Sequence, residues 1–276
     1  MQTYVDCYPC ILRQAIEAVR MAGGDPSQER VVVHQALDIL KTVPDGSTPP
    51  AIGMKVHQLV REITGNSDPY AEVKHAGTHK ALSLLPKLTA LIESSDDRLD
   101  TAVRLSIAGN IIDFGPNPDY DLWDEVRRVL HQDLAINDLP LLRDRLETVD
   151  SILFLADNAG ETVFDRILIE ALSKPVTYVV RGGPILNDAT ADDAAAAGIN
   201  EIAEVINTGA QVPGVYLSMC SDEFRLRFEE AGLILAKGMG NYESLSEVHA
   251  PIFFLLQVKC PVVGRDIGAD PGSIII

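Results

Sequence analysis

Two periodicities divide the chain. Over roughly the first 145 residues, apolar positions return every three or four residues. Ile11, Leu12, Ile16, Val19 and Met21 follow this spacing, and Gly23-Gly24 ends the helix. The pattern continues through 31–43, 52–63 and 69–92, broken at Pro49-Pro50 and Asn66-Ser67-Asp68-Pro69, and then through 97–108 and 121–132. From Asp150 it changes to short continuous apolar runs, at 151–156, 175–180, 201–206, 232–236 and 252–258. Helical stretches follow the first four, at 160–172, 188–197, 218–230 and 241–248. Near-continuous apolar strands alternating with helices predict a parallel sheet covered on both faces. The expectation is an α/β protein, with a helical N-terminal domain over 1–148 and a sheet domain over 149–276.

Composition narrows the function. The chain has 276 residues, 46% of them hydrophobic, and a formal charge of −17. Nucleic acids and anionic membranes need a basic surface, so neither is an expected partner. An acidic protein still binds a small phosphorylated metabolite if a metal and a few local cations cancel the repulsion. No apolar stretch reaches the roughly 18 residues of a membrane span. The start, Met1-Gln-Thr-Tyr-Val-Asp6, has neither part of a signal peptide. A cytoplasmic location is expected, where the four cysteines would not form a disulfide framework.

The chemistry gathers at the ends of the apolar runs. The first ends in Asp157-Asn158-Ala-Gly-Glu161; the second leads through Arg181-Gly-Gly-Pro-Ile-Leu to Asn187-Asp188. In open α/β sheets, ligands bind at the carboxyl ends of the strands. Oxygen-only donors there suit a hard cation such as Mg2+. Asp and Asn also cap helices and start turns, but two such pairs after consecutive strands favour a metal site. A third run ends in Lys237-Gly238-Met-Gly240-Asn241, a cation able to meet a phosphate followed by glycines that admit a close backbone approach. No GxGxxG follows the first strand, which disfavours a nicotinamide or flavin enzyme. Asn110 and Asp113, in Gly109-Asn110-Ile-Ile-Asp113-Phe114-Gly115, either face one pocket or form a helix C-cap and turn. Cys7 and Cys10 have CxxC spacing, and with Cys260 as third ligand they offer Zn2+ or iron a second site; the alternative is that they are small packing residues.

Taken in order, Cys7-Tyr-Pro-Cys10, Gly109-Asn110-Ile-Ile-Asp113-Phe114, Asp157-Asn-Ala-Gly-Glu161, Asn187-Asp188 and Lys237-Gly-Met-Gly-Asn241 resemble the metal-dependent damage-control phosphatases, formerly domain of unknown function 89. The resemblance covers nearly the whole chain and is nearest to the CxxC-bearing archaeal and bacterial branch. It implies a helical part packed on a Rossmann-like domain and hydrolysis of phosphate monoesters, sugar phosphates or damaged phosphometabolites, with Mg2+, Mn2+, Co2+ or Ni2+. Carried over by motif, Asp157, Asn158 and Asp188 would hold the metal. Lys237 would bind the phosphate, with Asn110 and Asp113 lining the pocket and Gly238, Asn241 and Glu161 at the substrate. Asp157, Lys237 and Asp113 would take the catalytic roles. Two other readings remain open: carboxyl methylation by S-adenosylmethionine, whose usual glycine-rich loop is missing after the first strand, and a non-catalytic metal-binding protein.

Overall fold

A computed structural model describes residues 1–110 and 122–276. The elements run α1 (Cys7–Met21), α2 (Pro26–Lys41), α3 (Pro49–Thr64), α4 (Ala71–Glu93), α5 (Arg98–Gly109), α6 (Leu122–His131), β1 (Leu134–Ile136), α7 (Leu139–Thr148) and β2 (Ile152–Leu155). They continue as α8 (Thr162–Leu172), β3 (Val176–Val180), α9 (Ala191–Ala196), β4 (Glu204–Asn207), α10 (Asp222–Glu230), β5 (Ile234–Lys237), α11 (Gly238–Leu245), β6 (Ile252–Gln257), α12 (Pro261–Ile267) and β7 (Ile274–Ile275). Local chemistry sets several ends. Asp25 caps α2 in a capping box with Gln28, and Pro49 and Pro50 form the first turn of α3.

The sheet has the order β1-β7-β6-β5-β2-β3-β4. Strands β6, β5, β2, β3 and β4 are parallel, while β7 pairs antiparallel to β6. The parallel α/β expectation holds for these five strands. At one side, β7 and the edge strand β1 add a mixed border that was not foreseen.

Side-chain alternation divides the interior. Phe154, Ala156, Tyr178, Val180 and Leu235 face a core shared with α4, α5 and α8, whereas Leu153, Leu155, Val179, Ile234 and Ala236 face α10 and α11. Helices α1, α2 and α3 build a separate apolar cluster that also takes in Val262 and Val263 of α12. The division expected at 148/149 is therefore not a division of the core. Helices α4 and α5 belong to the sheet's own covering layer, and β1 lies before the expected boundary yet joins the sheet.

After β2 the chain moves to β3 and β4 on one side, then crosses back to β5 on the other. This reversal opens a crevice at the carboxyl ends of β2 and β5, where an open sheet binds its ligands.

Candidate metal and phosphate site

Strand β2 is buried throughout and delivers Asp157 and Asn158 to the crevice, and β5 delivers Lys237 beside them. A short 3-10 turn, Ala159–Glu161, brings Glu161 round to the same place, and α8 adds Asp165 one turn later. The loop after β3 returns Asp188 alongside, because Asn158 and Asp188 form an isolated antiparallel bridge. From the helical half, Asn110 caps α5 and enters the site. It does so because Gly109 lets α5 lie against α8: a Cβ there would come within 2.9 Å of the Phe164 side chain.

Each group is held by named partners. The Nδ2 atoms of Asn110 and Asn158 donate to Glu161 Oε1 at 2.7 and 2.6 Å, and to Asp157 Oδ2 at 3.1 and 3.3 Å. Asp188 accepts from Arg181 Nε at 2.6 Å, while Arg181 Nη2 donates to Asn241 Oδ1 at 3.2 Å and lies 3.9 Å from Asp157 Oδ1. Asn241 donates to the carbonyl oxygens of Ala156 and Lys237 at 3.0 and 2.8 Å, tying α11 to the end of β2. Gly238 has φ +76°, and a Cβ on it would stand 1.7 Å from Asp157 Oδ2. Only glycine fits between that carboxylate and the start of α11.

Lys237 is fully buried and donates to Ser106 O at 2.9 Å, Glu161 Oε2 at 2.9 Å and Asp165 Oδ1 at 2.8 Å. An ammonium has three donors, and all three are engaged. The sequence expectation put this lysine on the substrate phosphate; here it supports the acidic residues beneath the site. Burial acts to lower its pKa, but Asp165 and Glu161 outweigh this and hold it above the ordinary lysine range. Asp165 is further fixed by Ser106 Oγ and Tyr178 OH, each at 2.8 Å.

The charge balance is unequal. Four buried carboxylates, Asp157, Glu161, Asp165 and Asp188, face two buried cations, Lys237 and Arg181. Burial first, then Glu161 and Asp188, push the Asp157 carboxyl well above the usual range, with Arg181 opposing. Lys259 also opposes, and a divalent cation bound among these carboxylates would relieve their crowding. Asn110 Oδ1 is also buried without a hydrogen-bond partner among the described residues, a free oxygen acceptor beside Asp157. Among those residues, no three His, Cys, Asp or Glu side chains form a ready ligand cluster. A cation here would thus rest on Asp157 and Asp188 together with amide oxygens, Asn158 included. That donor set fits Mg2+ or Mn2+.

The remaining expected residues fall elsewhere. Asp113 lies outside the described residues. Cys7 is buried at the start of α1, and Cys260 precedes α12. Burial first, then Glu243, Cys260 and Cys10, raise the Cys7 thiol in the metal-free protein. Sequence reasoning missed Arg181. Its Arg-Gly-Gly context reads as a turn, although its place after an apolar run is the signal that singled out Lys237.

The family profile of the damage-control phosphatase ARMT1-like domain matches residues 3–275. An uncharacterised protein from Methanocaldococcus jannaschii is 39% identical, across 98% of this chain and 93% of its own length. A damage-control phosphatase from Archaeoglobus fulgidus is 36% identical, over 98% of this chain and 96% of the relative. A damage-control phosphatase from Pyrococcus horikoshii is 34% identical over all of this chain and 97% of the relative. The crystal structure of a domain-of-unknown-function-89 protein from the same organism superposes with a TM-score of 0.88 at 34% identity, covering 100% of this chain and 98% of that one.

Proposed function

The chain belongs to the damage-control phosphatase family with the ARMT1-like domain, and from that membership we propose that it is a divalent-metal-dependent phosphatase of small phosphate monoesters. The observation that carries the proposal is the placement of Asp157, Asn158 and Asp188 around one point at the sheet's switch of strand order, among crowded buried carboxylates. Mg2+, Mn2+, Co2+ or Ni2+ bound there would supply Lewis-acid polarisation of the phosphoryl group and a site for water.

The chain's own groups do the positioning. Arg181 holds Asp188 at one edge, and the amides of Asn110 and Asn158 hold Asp157 at the other. Lys237 holds Glu161 and Asp165 in place beneath them, and Glu161 in turn orients both amides. The place assigned to the substrate phosphate is the start of α11, which Gly238 brings against Asp157. A helix N-terminus of this kind favours an anion without a side-chain cation. Phosphoryl transfer rests on such positioning and charge neutralisation more than on covalent chemistry by the protein.

A panel of phosphomonoesters with added Mg2+, Mn2+, Co2+ or Ni2+ tests the reading by phosphate release. Turnover of at least one sugar or small-metabolite phosphate is expected. Absence of release throughout, with methyl transfer from S-adenosylmethionine instead, would overturn it.

A further inference from the structure

Behind the carboxylates, the buried groups form one chain of hydrogen bonds with a fixed polarity. Tyr178 OH and Ser106 Oγ donate to Asp165, each at 2.8 Å, and Lys237 Nζ donates to Asp165 Oδ1 at 2.8 Å. The same ammonium donates to Glu161 Oε2 at 2.9 Å. The other oxygen, Glu161 Oε1, accepts from the Nδ2 atoms of Asn110 and Asn158. Glu161 thus meets donors at both ends, and solvent reaches none of its side chain.

This polarity matters because an amide has two unlike ends. Its nitrogen only donates and its oxygen only accepts, so an acceptor at Glu161 Oε1 draws the nitrogen of each asparagine to itself. Asp157 Oδ2 reinforces the choice, accepting from the same two nitrogens at 3.1 and 3.3 Å. The oxygens are left for other partners, and Asn110 Oδ1 is buried with none among the described residues. A hard divalent cation takes oxygen ligands, so an inverted amide would offer it an NH2 group. Amide oxygens also add no charge where Asp157, Glu161, Asp165 and Asp188 already crowd together.

Resting on the metal-site reading above, we infer that Glu161 is a positioning residue that selects amide faces. It holds the nitrogens of Asn110 and Asn158 and so frees their oxygens for the cation. Lys237, backed by Asp165, requires an oxygen at the far end of that side chain. The requirement is one of sign and not of size: position 161 must present an acceptor, or at least no donor, to the two amides.

Three variants at position 161 separate this role from packing, each titrated calorimetrically with Mn2+ alone. Glu161→Gln keeps the shape, and Lys237 keeps Asp165 as its counter-ion. Lys237 claims the new oxygen, however, so the new NH2 group faces two others. The amides must invert or part, and Mn2+ affinity should fall ~10²-fold, the upper range for a group that supports a ligand. Glu161→Met and Glu161→Ala supply no donor, and Asp157 still holds both nitrogens. They should lose only about tenfold, the lower end of that range, although the cavity in Glu161→Ala should give it a lower urea midpoint than Glu161→Gln. A packing role demands the reverse order, with the isostere best. Glu161→Gln binding Mn2+ as tightly as the other two, or more tightly, overturns the inference. If the parent binds no Mn2+, the metal reading fails by itself. The amide faces are then read by NMR without metal. Nuclear Overhauser contacts between the two asparagine NH2 groups and the methylenes of residue 161 should be present in the parent and lost in Glu161→Gln. Contacts kept in that variant, or missing in the parent, overturn the inference.

Discussion

Lys237 Nζ lies 2.9 Å from Glu161 Oε2, and neither side chain is reached by solvent. This pair, arriving from two neighbouring strands, joins the helical layer to the sheet edge, because the same ammonium also bonds Ser106 O of α5. Lys237→Met leaves Glu161 and Asp165 as uncompensated buried charges. Loss of one member of a buried pair costs about 3–5 kcal/mol, so the denaturant midpoint should fall markedly as well as activity. A variant of parental stability with lost activity alone would instead put the lysine on the substrate.

Asp157 is held up by burial and by two other carboxylates. Asp157→Asn removes that repulsion, so the metal-free variant should melt at a higher temperature than the metal-free parent. The Mn2+-induced rise in Tm should vanish, with affinity reduced at least ~10²-fold, the upper range when even an indirect supporting group is lost. Calorimetric titration and thermal melts read both effects. Undiminished Mn2+ binding would remove Asp157 from the ligand set.

Gly238 allows α11 to begin against Asp157. In Gly238→Ala the new methyl group overlaps a carboxylate oxygen, from a backbone conformation L residues rarely adopt. A displacement of about 1 Å at a reacting centre costs ~10²-fold in rate, and kcat/KM should drop by at least that much. Parental turnover in the alanine variant would show that this approach is not needed.

His57, buried in α3 with its ring edge to Tyr70, is kept neutral by burial and, to a lesser degree, by Arg61, down to a pKa of about 4. An unfolded histidine titrates near 6.5. Between these values the unfolded chain binds the proton that the folded chain refuses. Stability should therefore fall as pH drops from about 6.5 to about 4, by about 3 kcal/mol in all. The urea midpoint of the parent should fall relative to that of His57→Phe as pH drops across this window. Parallel curves would show that His57 is not the group involved.

Strands β2, β3 and β5 were legible because strands buried on both faces read as unbroken apolar runs. Strands β1 and β7 were not, since three and two residues are too few to carry a pattern. The bend that brings α4 and α5 onto the sheet leaves no periodic trace either, so the helical half looked like a separate domain. At the site, strand-end position pointed to Asp157, Asn158, Asp188 and Lys237. What sequence spacing could not convey was the direction each group faces. Lys237 turns inward to the i, i+4 pair Glu161 and Asp165, while Arg181, hidden in a glycine turn, stands beside Asp188.

The most direct measurement is phosphate release from p-nitrophenyl phosphate by protein stripped with a chelator, before and after Mn2+ is returned, in the parent and in Asp188→Asn. The parent should be inactive when stripped and recover with Mn2+, Co2+, Ni2+ or Mg2+, while Asp188→Asn should stay inactive under both conditions. Full activity in the stripped parent, or recovery of Asp188→Asn at the same metal concentration, would contradict a divalent ion held at Asp157, Asn158 and Asp188.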